Sequence, residues 1–199
     1  MPALQAIVIG VGSSELRGDA GFGAAVIETL RRQPGLADTV RLVRCDGDPG
    51  RMIELWDGYG VALVVDAVRG GCEAYGFLCR HDLPRDALLG STGPWPGTPS
   101  GGGTGGSAHA AGLRAAVRLG HTLGRLPDRL ILYAVHGRDF RPGAPLSRPV
   151  EAAVPQLAAR ISRDVLGVLS QYARQDERPG GHRSSDSIRV LSPSATVRA

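Results

Sequence analysis

The sequence has few cysteines, and they form no recognisable pattern. Cys45, Cys72 and Cys79 are the three cysteines in 199 residues, and no two of them are separated by only two residues. An odd number without that spacing argues against a disulfide framework and against a zinc ribbon. We therefore predict reduced, partly buried thiols.

Long apolar segments are also missing. No apolar run approaches the roughly 18 to 20 residues that cross a bilayer. The first residues show no basic stretch followed by a long apolar segment, which is the mark of a secretory signal. We therefore expect a cytoplasmic protein with no membrane partner. A content of 42% hydrophobic and 21% charged residues is ordinary for a globular protein.

Lysine is absent, so all 23 basic residues are arginines, and the formal net charge is +4. A basic balance can mark a nucleic-acid-binding protein. Here, however, part of the excess lies after Ala173, and no interior run combines arginines with aromatic residues as such a surface requires. We therefore predict no nucleic-acid partner.

Two segments lack the composition of a packed core. Residues 91–106 are rich in Gly, Pro, Ser and Thr, and residues 174–199 are rich in Arg, Ser, Pro and Gly without periodicity. Neither segment can bury enough apolar surface to order itself. We therefore predict a single domain over residues 1–173, with a flexible loop at 91–106 and a disordered C-terminal tail.

Short apolar runs alternate with helical patterns along the rest of the chain. Such runs predict strands at about residues 7–9, 40–45, 61–65, 75–79 and 130–135. The run at 61–65 is continuously apolar and largely β-branched, which is typical of a central parallel strand covered on both faces. The alternation predicts a doubly wound α/β fold, with a twisted, mostly parallel sheet of about five strands between helices.

Asp19, Asp66 and His109 are candidate site residues. Asp19 lies in a glycine-rich turn after the first predicted strand, Asp66 ends the most apolar strand, and His109 opens the helix that follows the glycine-rich loop. Ligands of α/β proteins bind at the carboxyl ends of parallel strands. One imidazole and two carboxylates suit a divalent transition metal. Taken alone, Asp66 is also typical of a cap after a strand, and a single His at a helix start is more often a capping or surface residue. His136 also ends a strand and is a further candidate for the same crevice.

Other functional motifs are incomplete or absent. Gly10 and Gly12 match the first two glycines of a dinucleotide fingerprint, but Glu15 takes the third position, where a carboxylate would face the pyrophosphate. A nucleotide-binding module remains an alternative. No Gly-x-Ser-x-Gly elbow, His-Glu-x-x-His pair or Walker loop occurs, which argues against the mechanisms that use them.

The order of the motifs resembles a known family. IVIGVGSSELRGDAGFG, LVVDAVRGG and the segment that begins SAHAAGLRAAVRLGHT lie within residues 7–169. Their order and spacing are similar to those of the nickel-iron hydrogenase maturation endopeptidases, which remove a C-terminal extension from the hydrogenase large subunit once nickel is inserted. The resemblance implies an endopeptidase of this kind, with the large-subunit precursor as partner and with nickel presented by that substrate rather than permanently bound.

The resemblance also implies roles for particular residues. Asp66 and His109 match the family's nickel-sensing Asp and His, so both are expected to act in metal binding and catalysis. The third family residue is the second acid of a Gly-Asp-Asp-Gly segment or a close variant with Glu, and Ala20 occupies that place here. We expect Asp19 or a water to supply the third donor. The alternative is a non-catalytic member that binds the precursor as a checking or scaffold protein.

Overall fold

The computed structural model describes residues 6–12, 18–69, 74–84 and 108–176. The predicted flexible loop at 91–106 lies outside these ranges. The elements described are β1 (Ala6–Val11), α1 (Phe22–Arg31), β2 (Arg41–Cys45), α2 (Pro49–Trp56), β3 (Val61–Arg69), β4 (Leu78–Pro84), α3 (Ala108–Thr122), β5 (Arg129–Gly137) and α4 (Arg148–Asp176). Among these helices, none combines the length and apolar character that a bilayer crossing requires.

The strands form one sheet in the order β2-β1-β3-β5-β4. β1, β2, β3 and β5 run parallel, whereas β4 is antiparallel to β5. Val8 in β1 lies between Leu42 of β2 and Leu63 of β3, which fixes the register at the centre of the sheet. The predicted α/β architecture with a mostly parallel five-stranded sheet is therefore confirmed.

Helices cover both faces of the sheet, because side chains alternate along each strand. Val8, Leu63 and Tyr133 pack in one core beneath α1 and α4, which we call the α1–α4 face. Ile7 and Val64 pack in the other core beneath α2 and α3, the α2–α3 face. Burial on both sides explains why the strands read as continuous apolar runs.

Several element boundaries differ from the prediction. The strand expected at about 75–79 is found at Leu78–Pro84, because it pairs with β5 along that whole length. β3 continues to Arg69, so Asp66 lies inside the strand instead of ending it. The cause is β5, which keeps pairing with β3 from Asp66 opposite Ala134 onward. At the other end of the chain, α4 continues through Asp176, three residues beyond the predicted domain boundary at 173. The predicted tail from residue 177 lies outside the described part.

Candidate functional site

Asp66 lies buried where two halves of the sheet diverge. Only 2% of its surface is exposed, and its Oδ1 accepts the backbone N–H of Ala67 at 2.8 Å. Pairing between β1 and β3 stops at Gly10 and Val65, so Asp66 is the first residue of β3 beyond it. The chain order reverses between these two strands, which is the point where open α/β sheets bind ligands. The strand alternation directs Asp66 to the α2–α3 face.

α3 packs on that same face and begins close to the loop after β2. His109 is the second residue of α3, and its side chain lies outside the described part of the structure. A Cβ at Gly112 would stand only 2.3 Å from the carbonyl oxygen of Gly47, so the helix is pressed against that loop. The backbone therefore brings the start of α3 to the face that holds Asp66, and the contact between Asp66 and His109 remains a prediction.

Asp19 is fully buried and its carboxylate accepts four hydrogen bonds. Oδ2 accepts the backbone N–H groups of Arg138 at 2.6 Å and Asp139 at 2.8 Å. Ser147 donates its backbone N–H to Oδ1 at 2.7 Å and its hydroxyl to Oδ2 at 2.9 Å. Oδ2 accepts three of these hydrogen bonds and Oδ1 accepts one, which accounts for most of the acceptor capacity of an ionised carboxylate. Asp19 thus ties the loop between β5 and α4 to the turn before α1.

Asp19 also lies on the side of the sheet opposite to Asp66. Its Cβ is 2.9 Å from the position that a Cβ on Gly137 would take. Tyr133, Val135 and Gly137 are alternate residues of β5, so a Cβ on Gly137 would point to the same α1–α4 face as the side chains of Tyr133 and Val135. The side and the four hydrogen bonds both argue against Asp19 as a third donor beside Asp66.

His136 lies on the same face as Asp66, together with a thiol that sequence reasoning did not single out. His136 is 9% exposed and its Nε2 is 3.5 Å from Sγ of Cys79. Cys79 and Asp66 both pair with Ala134, from opposite sides of β5. The antiparallel pairing of β4 creates this arrangement, and no local motif in the sequence indicates it.

The described cysteines are free thiols, as predicted. Cys45 and Cys79 form no disulfide, and Cys72 lies outside the described residues. Burial raises the pKa of the Cys45 thiol above its usual value. A neutral buried thiol is a poor nucleophile, so Cys45 has the character of a core residue.

Solved structures that share this architecture include several proteins of one kind. The hydrogenase maturating endopeptidase HybD from E. coli matches with a TM-score of 0.59 and 20% identity, over 87% of this chain and 100% of its own. An endopeptidase from Escherichia coli matches with a TM-score of 0.61 and 18% identity, over 79% and 90%. The hydrogenase 2 maturation peptidase from Thaumarchaeota archaeon SCGC_AB-539-E09 matches with a TM-score of 0.54 and 23% identity, over 81% and 97%.

This chain has the fold of the hydrogenase maturation endopeptidases. No protein-family model and no curated protein matches the sequence. The structural likeness therefore establishes the fold, and it agrees with the fold that the sequence resemblance implies. The chain spans nearly the whole length of each of these three structures.

Within this maturation-endopeptidase fold, Ala20 leaves one expected carboxylate missing. Ala20 is 9% exposed and follows directly after Asp19. No three His, Cys, Asp or Glu side chains form a metal-binding group in the part of the chain that the structure describes, which leaves out the His109 side chain. Of the expected site residues whose side chains the structure describes, Asp19 and Asp66, Asp66 is the one that faces the α2–α3 side.

Proposed function

We propose that this chain is an endopeptidase of the cytoplasm that removes the C-terminal extension of a nickel-iron hydrogenase large-subunit precursor after nickel insertion. The observation that carries the proposal is Asp66, a buried carboxylate at the switch point of a maturation-endopeptidase fold. Open α/β sheets bind their ligands at this switch point. The sequence resemblance supplies the substrate class.

In this proposal, Asp66 and His109 bind the nickel ion that the substrate presents. Carboxylate and imidazole are both ligands that nickel accepts. The shared face of Asp66 and α3 supports this pairing. A water takes the third position, because the carboxylate of Asp19 is already occupied by four donors.

Two routes to cleavage fit these residues. In one, the nickel of the substrate polarises the carbonyl of the scissile bond. In the other, Asp66 acts as the base that activates a water. Asp66→Asn keeps an oxygen ligand but removes the base. Loss of cleavage with retained precursor binding would therefore favour the second route.

A non-catalytic protein that binds the precursor for checking or scaffolding is the second candidate. Ala20 favours it, because an acid is expected at that position and no carboxylate replaces it from Asp19. Incubation of the purified chain with a nickel-loaded precursor separates the two candidates. A shortened product on a denaturing gel indicates a protease, whereas a stable complex without shortening indicates a binding protein.

The site residues are tested with paired substitutions in the same assay. Asp66→Ala combined with His109→Ala should abolish processing. Asp38→Ala combined with His121→Ala changes the same residue types at exposed positions and should leave processing intact. A nickel-free precursor should not be cut. Unchanged cleavage by the Asp66 and His109 double variant would reject the assignment of these residues.

A further inference from the structure

A cationic cavity opens beside the carboxyl edge of the sheet. Its volume is about 530 Å³, and its walls are formed by Arg69, Arg138, Asp139, Phe140, Arg141 and Pro142. We call it the arginine cavity. Three guanidinium groups and one carboxylate give its lining a net charge of +2. An excess of positive charge in one concave site attracts anions.

Two of the arginines are held by aromatic rings. The guanidinium carbon of Arg69 lies 4.4 Å from the centre of the Phe140 ring, and that of Arg138 lies 5.9 Å from the centre of the Tyr75 ring. Contact with a ring face restrains the guanidinium plane and leaves its N–H edge available. Within the described residues, neither Arg69 nor Arg138 forms an ion pair with a carboxylate.

The one carboxylate of the cavity is already paired. Nη2 of Arg141 donates to Oδ2 of Asp139 at 2.7 Å, and Nε of Arg141 donates to Oδ1 at 3.0 Å. Hydrogen bonds from Arg141 lower the pKa of Asp139 to about 2, so it stays ionised at neutral pH. Asp139 therefore pairs mainly with Arg141, and its charge also acts on Arg138, so the lining as a whole keeps a net charge of +2 for a ligand.

Hydrogen bonds hold the backbone of the loop that carries the cavity. The carboxylate of Asp19 accepts the N–H groups of Arg138 and Asp139, and the N–H of Asp19 donates to the carbonyl oxygen of Asp139 at 2.6 Å. The N–H of Gly18 donates to the carbonyl oxygen of Ala144 at 2.8 Å. A preformed site avoids the cost of ordering a loop on binding. Asp19 thus acts as a positioning residue for this cavity.

The cavity lies within reach of a chain that is bound at Asp66. Arg69 follows Asp66 by three positions in β3, which corresponds to about 10 Å along an extended strand. The two side chains leave opposite faces of the sheet, so a substrate that contacts both has to cross the carboxyl edge of the sheet. Three or four residues of extended substrate span this distance.

We propose that the arginine cavity binds a carboxylate group of the polypeptide substrate, three or four residues from the segment held at Asp66. A planar guanidinium matches a carboxylate with two parallel N–H bonds, and two such groups face one cavity here. That the bound polypeptide is the hydrogenase precursor rests on the proposed function. That the cavity prefers a carboxylate rests on the arginines of its lining alone.

Fluorescence anisotropy with labelled peptides tests the proposal. The probe is a short Gly/Ser peptide with two adjacent glutamates. The control peptide has the same sequence with glutamines in place of the two glutamates. The unaltered chain should bind the glutamate peptide at least about tenfold more tightly. Arg69→Gln combined with Arg138→Gln should remove that preference. Because these peptides contain no nickel, the result does not depend on whether the chain cleaves a precursor.

A matched variant separates a specific site from net charge. Arg32→Gln combined with Arg163→Gln removes the same two charges from exposed helix-associated positions. It should bind the glutamate peptide as the unaltered chain does. Equal weakening by both double variants would overturn the proposal, as would equal binding of the two peptides by the unaltered chain. Tighter binding of inorganic phosphate than of the glutamate peptide would overturn the assignment to a carboxylate.

Discussion

Asp19 accepts hydrogen bonds from both the backbone N–H and the hydroxyl of Ser147, at 2.7 and 2.9 Å. The two residues are 128 positions apart, and the contact joins the turn before α1 to the residue that precedes α4. The same carboxylate accepts the N–H groups of Arg138 and Asp139. An acid that the sequence suggests as a metal ligand is thus the anchor of a loop, and that loop carries the arginine cavity.

Asp19→Asn should destabilise the protein. An amide offers one acceptor oxygen and turns its NH₂ group toward donors, so buried N–H groups lose their partner. We expect the free energy of unfolding to fall by about 2 to 4 kcal/mol, measured by urea denaturation. Asp38→Asn is an exposed control and should change it by less than about 0.5 kcal/mol. Unchanged stability together with lost nickel-dependent cleavage would restore Asp19 as a ligand.

Ala20→Asp should increase processing of the nickel-loaded precursor. The substitution supplies a carboxylate at the position where the family pattern has its second acid, and a second anionic ligand beside Asp66 strengthens metal binding. We expect a rate gain on the order of tenfold, measured as product formed with time. Ala37→Asp adds the same charge at an exposed site and should have no effect. A slower or unchanged rate in a stably folded Ala20→Asp variant would contradict the expected role of this position.

Gly112→Ala should destabilise the protein and slow processing. The new Cβ would lie 2.3 Å from the carbonyl oxygen of Gly47, so the first turns of α3 must shift. We expect a loss of about 1 to 3 kcal/mol in the free energy of unfolding. The shift also moves the start of the helix that carries His109.

A glycine in α4 provides the matched control for Gly112. Gly167 has no atom within 4 Å of the position of an added Cβ. Gly167→Ala should therefore stabilise the protein by up to about 1 kcal/mol, because alanine favours a helix more than glycine does. If both variants change the urea midpoint in the same direction, close packing at Gly112 is not the cause.

The Asp139–Arg141 pair predicts a specific pH dependence. Hydrogen bonds from Arg141 lower the pKa of Asp139 to about 2 in the folded chain, whereas an unfolded Asp titrates near 3.9. The pair therefore stabilises the fold above about pH 4, and this contribution is lost as the pH falls toward 2.

NMR titration of the Asp139 carboxyl carbon measures this effect directly. Arg141→Gln should raise the midpoint toward the ordinary Asp value, because its side-chain hydrogen bonds and charge are removed. Arg32→Gln, which changes a distant arginine, should leave the midpoint near 2. A midpoint near 4 in the unaltered chain would show that Arg141 does not hold this carboxylate.

Much of the architecture follows from local patterns in the sequence. The apolar runs identify each strand of the parallel core, because a strand buried on both faces carries apolar residues at successive positions. The end of β3 at Arg69 does not follow from its own residues, since continued pairing with β5 extends it past Asp66. The antiparallel direction of β4, and with it the contact of Cys79 with His136, likewise depends on a partner strand.

The sequence by itself determined the α/β class and the strand that carries Asp66. Only the tertiary structure decided that Asp19 and Asp66 lie on opposite sides of the sheet and that Arg69 and Arg138 line one cavity. The physical reason is the distance along the sequence over which each kind of interaction acts. Periodicity and residue type act over a few neighbouring positions, whereas the hydrogen bonds of Asp19 join residues 119 to 128 positions apart, and folding alone brings those groups together.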